Sequence, residues 1–169
     1  MEKFALVLAH WWPTIDKTVR LLAASSLLCL LGGATHGQTK VPQDGQRALK
    51  VLESLEPKTS WRPETLLKGD FDCDGSKDYA FGGQKANRYI IGILKGPVKA
   101  NSKHWVISFK SGKESQNSLC SLDARINLES RKDLKTRHKC KGIKLHDDLC
   151  DSFHIYWKKL MGRFVWSRL

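Results

Sequence analysis

Leu66-Leu67-Lys68-Gly69-Asp70-Phe71-Asp72-Cys73-Asp74-Gly75-Ser76-Lys77-Asp78-Tyr79-Ala80-Phe81 places an acidic loop between two short apolar runs. Asp70, Asp72, Asp74 and Asp78 fall at relative positions 1, 3, 5 and 9, with Gly75 at position 6. This spacing wraps oxygen ligands around a hard cation, and Ca²⁺ suits it best, taking about six to eight oxygens at about 2.3–2.6 Å. The alternating carboxylates converge once the chain curls, Gly75 permits the turn, and the Ser76 carbonyl supplies a backbone ligand. Position 12 is Phe81, not the bidentate Glu of a helix-loop-helix site, and the flanks are strand formers. The spacing therefore predicts a calcium loop in a β-hairpin. An Asp-rich turn without metal is the plainer alternative.

The same alternation continues outward. Arg88-Tyr89-Ile90-Ile91-Gly92-Ile93-Leu94 and Trp105-Val106-Ile107-Ser108-Phe109 read as strands, the first stopped by Gly96-Pro97. Gly82-Gly83 reads as the turn between Phe81 and the strand at Arg88. Ala124, Ile126 and Leu128 alternate with polar residues, and Ile143 and Leu145 begin another short strand. Ser152–Trp157 and Arg163–Ser167 form a terminal hairpin with Gly162 in the connection. Upstream, Ala48, Val51, Leu52 and Leu55 follow helical spacing, with Asp44 as the expected cap and Pro57 as the stop. The expected fold is α+β: one N-terminal helix packed on a mostly antiparallel sheet of about seven short strands, disulfide-linked. Trp105, Trp157 and Trp166 are expected in the core. Trp61 either packs under the helix or forms an exposed stacking surface.

Residues 1–37 read as a signal peptide. Lys17 and Arg20 precede the uncharged run Leu21–Leu31, and small residues from Gly32 to Gly37 follow. Cleavage before Thr35 or before Gln38 fits the small-residue rule. A lipid-bearing Cys29, opposed by the large Leu28, and an ordinary buried N-terminal helix are the alternatives, while the run is short for a bilayer span. This leaves residues 38–169 as one exported domain, periplasmic or secreted, with no transmembrane span. Its cysteines Cys73, Cys120, Cys140 and Cys150 suit two disulfides. Three pairings are possible. The short separation of Cys140 and Cys150 favours their closure, leaving Cys73 with Cys120. A zinc site lacks any C-x-x-C pair.

The stretch Leu67–Gly83, with Gly69-Asp70-Phe71, Asp74-Gly75 and Asp78-Tyr79 in register, resembles the FG-GAP/VCBS calcium repeat. Those repeats carry a G-D-F-x-x-D-G-x-x-D-hydrophobic core between two strands. The resemblance implies Ca²⁺ held by Asp70, Asp72, Asp74 and Asp78. A propeller needs many repeats and this chain has one, so propeller architecture and adhesion do not follow. The layout is also similar to that of small exported bacterial proteins.

The chain carries a formal charge of +12. Without residues 1–37 it holds 26 basic and 15 acidic residues, a net +11. That field favours anionic partners such as lipid head groups, acidic polymers or acidic proteins, and nucleic acid fits poorly outside the cytoplasm. The partner-facing segment is read as Arg131, Lys132, Lys135, Arg137, Lys139 and Lys141, where clustered cations can clamp phosphate or carboxylate groups. A solvated basic loop is the alternative. No catalytic residues are assigned. His146, Asp147, Asp148, Asp151, Ser152 and His154 invite such a reading, but Ser152 and His154 on one strand stand roughly 7 Å apart, too far for a nucleophile–base bond. Those aspartates are read as neutralising Lys139, Lys141 and Lys144. The functional expectation is a disulfide- and calcium-stabilised binding module, inhibitor- or immunity-like. A small envelope-polymer hydrolase using carboxylates near the calcium loop is the alternative.

Overall fold

Ala48 and Leu52 lie one turn apart on helix α1 (Gln43–Leu55) and are fully buried, with Val51 and Leu55 partly covered beside them. The chain leaves the helix at Glu56, whose N–H still bonds the Leu52 carbonyl at 2.8 Å, and Pro57 prevents a further turn. The helix begins one residue earlier than the expected cap. Asp44 sits in the first turn, where its carboxylate accepts from Gly45 N–H, from the Tyr79 hydroxyl and from Lys68. The computed structural model describes residues 41–112, 118–130 and 140–168. The signal peptide assigned to residues 1–37 lies outside them. No helix among the described residues is long and apolar enough to cross a membrane.

The fold is α+β, with two sheets instead of one. The first comprises β1 (Ser60–Gly69), β2 (Asp78–Lys85), β3 (Arg88–Leu94), β4 (His104–Ser111) and β5 (Ser118–Leu119), in sequence order. The second comprises β6 (Arg125–Ser130), β7 (Lys141–His146), β8 (Phe153–Lys158) and β9 (Arg163–Arg168), also in sequence order. All pairs are antiparallel except the short β4–β5 pair. The nine strands among the described residues exceed the expected seven partly because β5 is two residues long and has no alternation to reveal it.

β3 explains the layering. Tyr89, Ile91 and Ile93, with Phe109 of β4, face the second sheet, where they join Ile126, Ile143, Leu145, Phe153 and Ile155. Ile90 and Leu94 point the other way, toward Ala48 and Leu52 of the helix. A strand covered on both faces must be apolar throughout, which accounts for its unbroken run. Trp61 settles under the helix, and Gly92 makes room for it: a Cβ there would stand 2.5 Å from the indole ring. Trp105 and Trp157 are partly buried, whereas Trp166 is 44% exposed, so the third predicted core tryptophan lies at the surface.

Two expectations fail for geometric reasons. Gly82 and Gly83 do not turn the chain; they lie within β2, which runs on until Lys85 pairs Arg88 across the two-residue turn Ala86-Asn87. The disulfides join Cys73 to Cys140 and Cys120 to Cys150, with Cα separations of 5.1 and 6.0 Å. The favoured Cys140–Cys150 closure is wrong because β7 lies between them. Six extended residues at about 3.3 Å each put the two cysteines at opposite ends of a strand.

Candidate metal centre

The acidic loop is what remains of the β1–β2 hairpin after its last pair, Gly69 with Asp78. Phe71 is fully buried in the core between the sheets and pins the loop inward. Cys73 takes a left-handed conformation (φ +63°), and Gly75 a similar one at φ +91°. Outside the hairpin, the Lys141 N–H donates to the Asp70 carbonyl at 2.9 Å, next to the Cys73–Cys140 bridge. The loop is thereby tied to the start of β7.

Asp78 forms the floor. It is 0% exposed, and one of its oxygens accepts from the N–H groups of Phe71 (2.9 Å) and Asp72 (3.2 Å). The other accepts from Gly96 N–H at 3.0 Å. That contact requires glycine, because a Cβ at residue 96 would lie 1.9 Å from the Lys77 carbonyl oxygen. Burial pushes the Asp78 carboxyl up to about 6; the Gly96 and Phe71 N–H groups oppose this, and the nearby Asp72 charge adds to it.

Oxygens of Asp70, Asp72 and Asp78 lie within 4.8 Å of one another. Ligands sharing one Ca²⁺ at about 2.3–2.6 Å stand no more than about 5 Å apart, so the three carboxylates fit a single ion. The donor set is all hard oxygen, which suits Ca²⁺ or Mg²⁺ and not zinc. Asp74 is turned differently. One of its oxygens accepts from Ser76 N–H at 2.7 Å, and the other pairs with the Lys95 ammonium at 2.5 Å. Lys95 also reaches Asp72 at 2.6 Å. Hydrogen bonds to Asp72 and Asp74 hold Lys95 above its ordinary value, and the Lys95 bond in turn holds Asp74 below the usual carboxylate range. Ser76 enters the loop's bonding through its N–H to Asp74. Three of the four predicted aspartates thus converge, and the fourth shares a lysine with one of them.

Phe71, already part of the Gly69-Asp70-Phe71 motif, completes the site together with Lys95 and Gly96, neither of which belongs to the loop motif. Lys95 and Gly96 lie some way downstream and meet the loop only because β3 pairs β2 in antiparallel register.

The other predicted groups are more scattered. Of the basic segment, Arg131, Lys132, Lys135, Arg137 and Lys139 lie outside the described residues. Lys141 starts β7, where its ammonium donates to Ser130 Oγ at 3.0 Å. Among the described residues, no lysine pairs with Asp147. It is 4% exposed and accepts from four backbone N–H groups: Cys120 (2.6 Å), Ser121 (3.0 Å), Leu149 (3.2 Å) and Cys150 (3.0 Å). Burial works against its charge, but these four donors prevail and hold the carboxyl below its ordinary range. Asp148 pairs with His146 (2.9 Å) and Arg125 (3.6 Å), and His154 bonds Glu129 at 2.8 Å. For Asp148, the partners seen are Arg125 of β6 and His146 of β7 instead of the predicted lysines. No protein-family model matches the chain, and no characterised protein or solved structure matches it either.

Proposed function

We propose that this chain is an exported binding module whose acidic loop holds Ca²⁺ as a structural staple and whose basic surface meets an anionic envelope component or another protein. The observation that carries the calcium part is the convergence of Asp70 and Asp72 on the wholly buried Asp78. Three carboxylates within reach of one ion are costly to leave without a cation, and Lys95 serves only Asp72 of the three. Oxygen donors at this spacing would hold a hard divalent ion, which binds the folded chain and stabilises it by mass action. Two cysteine pairs at bonding distance suit an oxidising compartment, periplasmic or extracellular. The formal charge of +12 suits an anionic partner.

The envelope-polymer hydrolase gains no such support. Its acid would have to meet a substrate, whereas Asp78 is sealed and both its oxygens are taken by backbone donors. Calorimetric titration with Ca²⁺ tests the staple. One site is expected, lost in Asp70→Ala and Asp72→Ala; no heat with the unaltered chain refutes it. Pull-down from an envelope extract, with and without chelator, identifies the partner class.

A further inference from the structure

The β8–β9 connection is unlike any other described turn. After Lys158 the chain makes a single 3-10 turn over Lys159–Met161 and returns through Gly162 (φ +59°). Leu160 is 97% exposed and Met161 50%, at the apex of the hairpin. Lys158, Lys159 and Arg163 bracket them, and no carboxylate among the described residues pairs with these cations. Just beneath the apex, Trp157 and Phe164 pack edge-to-face at 5.0 Å, and both meet Trp105 at 5.3 Å. Lys103 lies over the Trp105 ring at 5.0 Å, adding a further cation to the same rim. The chain has no Asp or Glu between Asp78 and Glu114, nor after Asp151, so the segments forming this rim carry no negative side chain.

We propose that this hairpin tip docks on an anionic phospholipid surface. The inference rests on the reading of the chain as a binder of anionic partners, and it names the partner. A soluble polyanion would satisfy the cations but would leave Leu160 and Met161 in water. A bilayer takes both: the head groups pair with Lys158, Lys159 and Arg163 while the two apolar side chains enter the acyl boundary. The half-buried tryptophans then stand at head-group depth, where indole rings are favoured. The tip needs no rearrangement, since its apolar side chains already face out. The acidic loop opens at the same end of the first sheet, two strands away from β4, so the binding test is run in chelator to prevent calcium from bridging that loop to lipid.

The test uses the full chain with bilayer discs of phosphatidylglycerol and phosphatidylcholine carrying a spin-labelled lipid. Methyl signals of Leu160 and Met161 are expected to broaden. Those of Leu149, 71% exposed in the connection at the opposite end of β8, are expected to stay sharp. Equal broadening, or broadening of Leu149 alone, overturns the proposal. In vesicle sedimentation, Leu160→Asn with Met161→Asn should weaken binding on the order of tenfold. Replacing Lys158, Lys159 and Arg163 by Gln should weaken it about fivefold per cation, roughly a hundredfold together. Residues 1–40 are the same in every variant, so the differences between variants, and not the absolute binding, report the tip. Variants that bind as the unaltered chain does overturn the assignment. Binding to heparin without binding to vesicles also overturns it, and leaves the anionic-partner reading standing. Binding to neither overturns both.

Discussion

Asp78 and Asp147 are buried aspartates at opposite ends of the sheets, each beside a disulfide, and each accepts backbone N–H groups from two chain segments. Asp147 has four donors and lies below the ordinary carboxylate range. Asp78 has three donors, no exposure and the Asp72 charge nearby, and it is pushed up to about 6. Backbone donors alone can hold a buried anion when there are enough of them and no second anion is near. With one donor fewer and a like charge added, the same arrangement is short of a cation. The end at Asp147 is thus complete in itself, whereas the end at Asp78 is built around a positive charge that the chain supplies only in part, through Lys95.

Removing the disulfides should separate the two ends most strongly. Replacing Cys73 and Cys140 by Ala opens a loop of sequence separation 67, and the expected loss is about 4 kcal/mol. Replacing Cys120 and Cys150 opens one of 30, with a loss of about 3.5 kcal/mol. Urea unfolding measures both. Calcium titration should show weakened binding in the first variant only; equal weakening in both breaks the comparison.

Asp147→Ala comes next. It leaves four buried donors without their acceptor, and roughly 3–4 kcal/mol should be lost in denaturant melts. Because the folded pKa of Asp147 is depressed, its contribution is present above the unfolded value near 4 and disappears as pH falls through the lower folded value. Acid unfolding should therefore be blunted in the variant.

Asp78 titrates with the opposite sign. Its folded pKa is raised to about 6 from 3.8, so stability is greatest when it is protonated and is lost as pH rises from about 4 through 6. The charged form costs about 3 kcal/mol. In chelator, the melting temperature should rise as pH is lowered from about 7 to about 5. Saturating Ca²⁺ should remove that rise, because the ion favours the charged form. A calcium-independent pH profile contradicts the staple.

The smallest effect is expected at Lys95. Lys95→Met frees Asp72 and Asp74 from the internal cation, and calcium affinity should rise about tenfold, or ~1.4 kcal/mol, in calorimetry. Weaker binding would make Lys95 part of the site's scaffold and not a competitor of the ion.

The helix was legible because Ala48, Val51, Leu52 and Leu55 share one face, and that face is the one buried. The strands around Tyr89–Leu94 and Trp105–Phe109 were legible for the same reason: a local period reports which side meets the core. β5 and the division into two sheets were not, since a two-residue strand has no period and sheet membership depends on partners far along the chain. Leu128 follows the inward period of Ile126 yet is 44% exposed, because β6 passes the edge of the core there. In the acidic loop, Asp70, Asp72 and Asp78 could be read from their spacing, and their convergence agrees with it. Asp74 could not be sorted from them, because which carboxylates converge depends on how the loop folds back and where Lys95 arrives from the end of β3.

By itself, the sequence determined the α+β class, the helix face, the acidic hairpin loop and the cysteine inventory. Each is a matter of local spacing, and local spacing dictates backbone period and turn geometry. Tertiary structure alone decided which cysteines pair, how deeply Asp78 is buried, that Lys95 and Gly96 close the loop, and that Leu160 stands free at a basic tip. Those features arise from strand register and layer packing, which join residues that no local pattern relates.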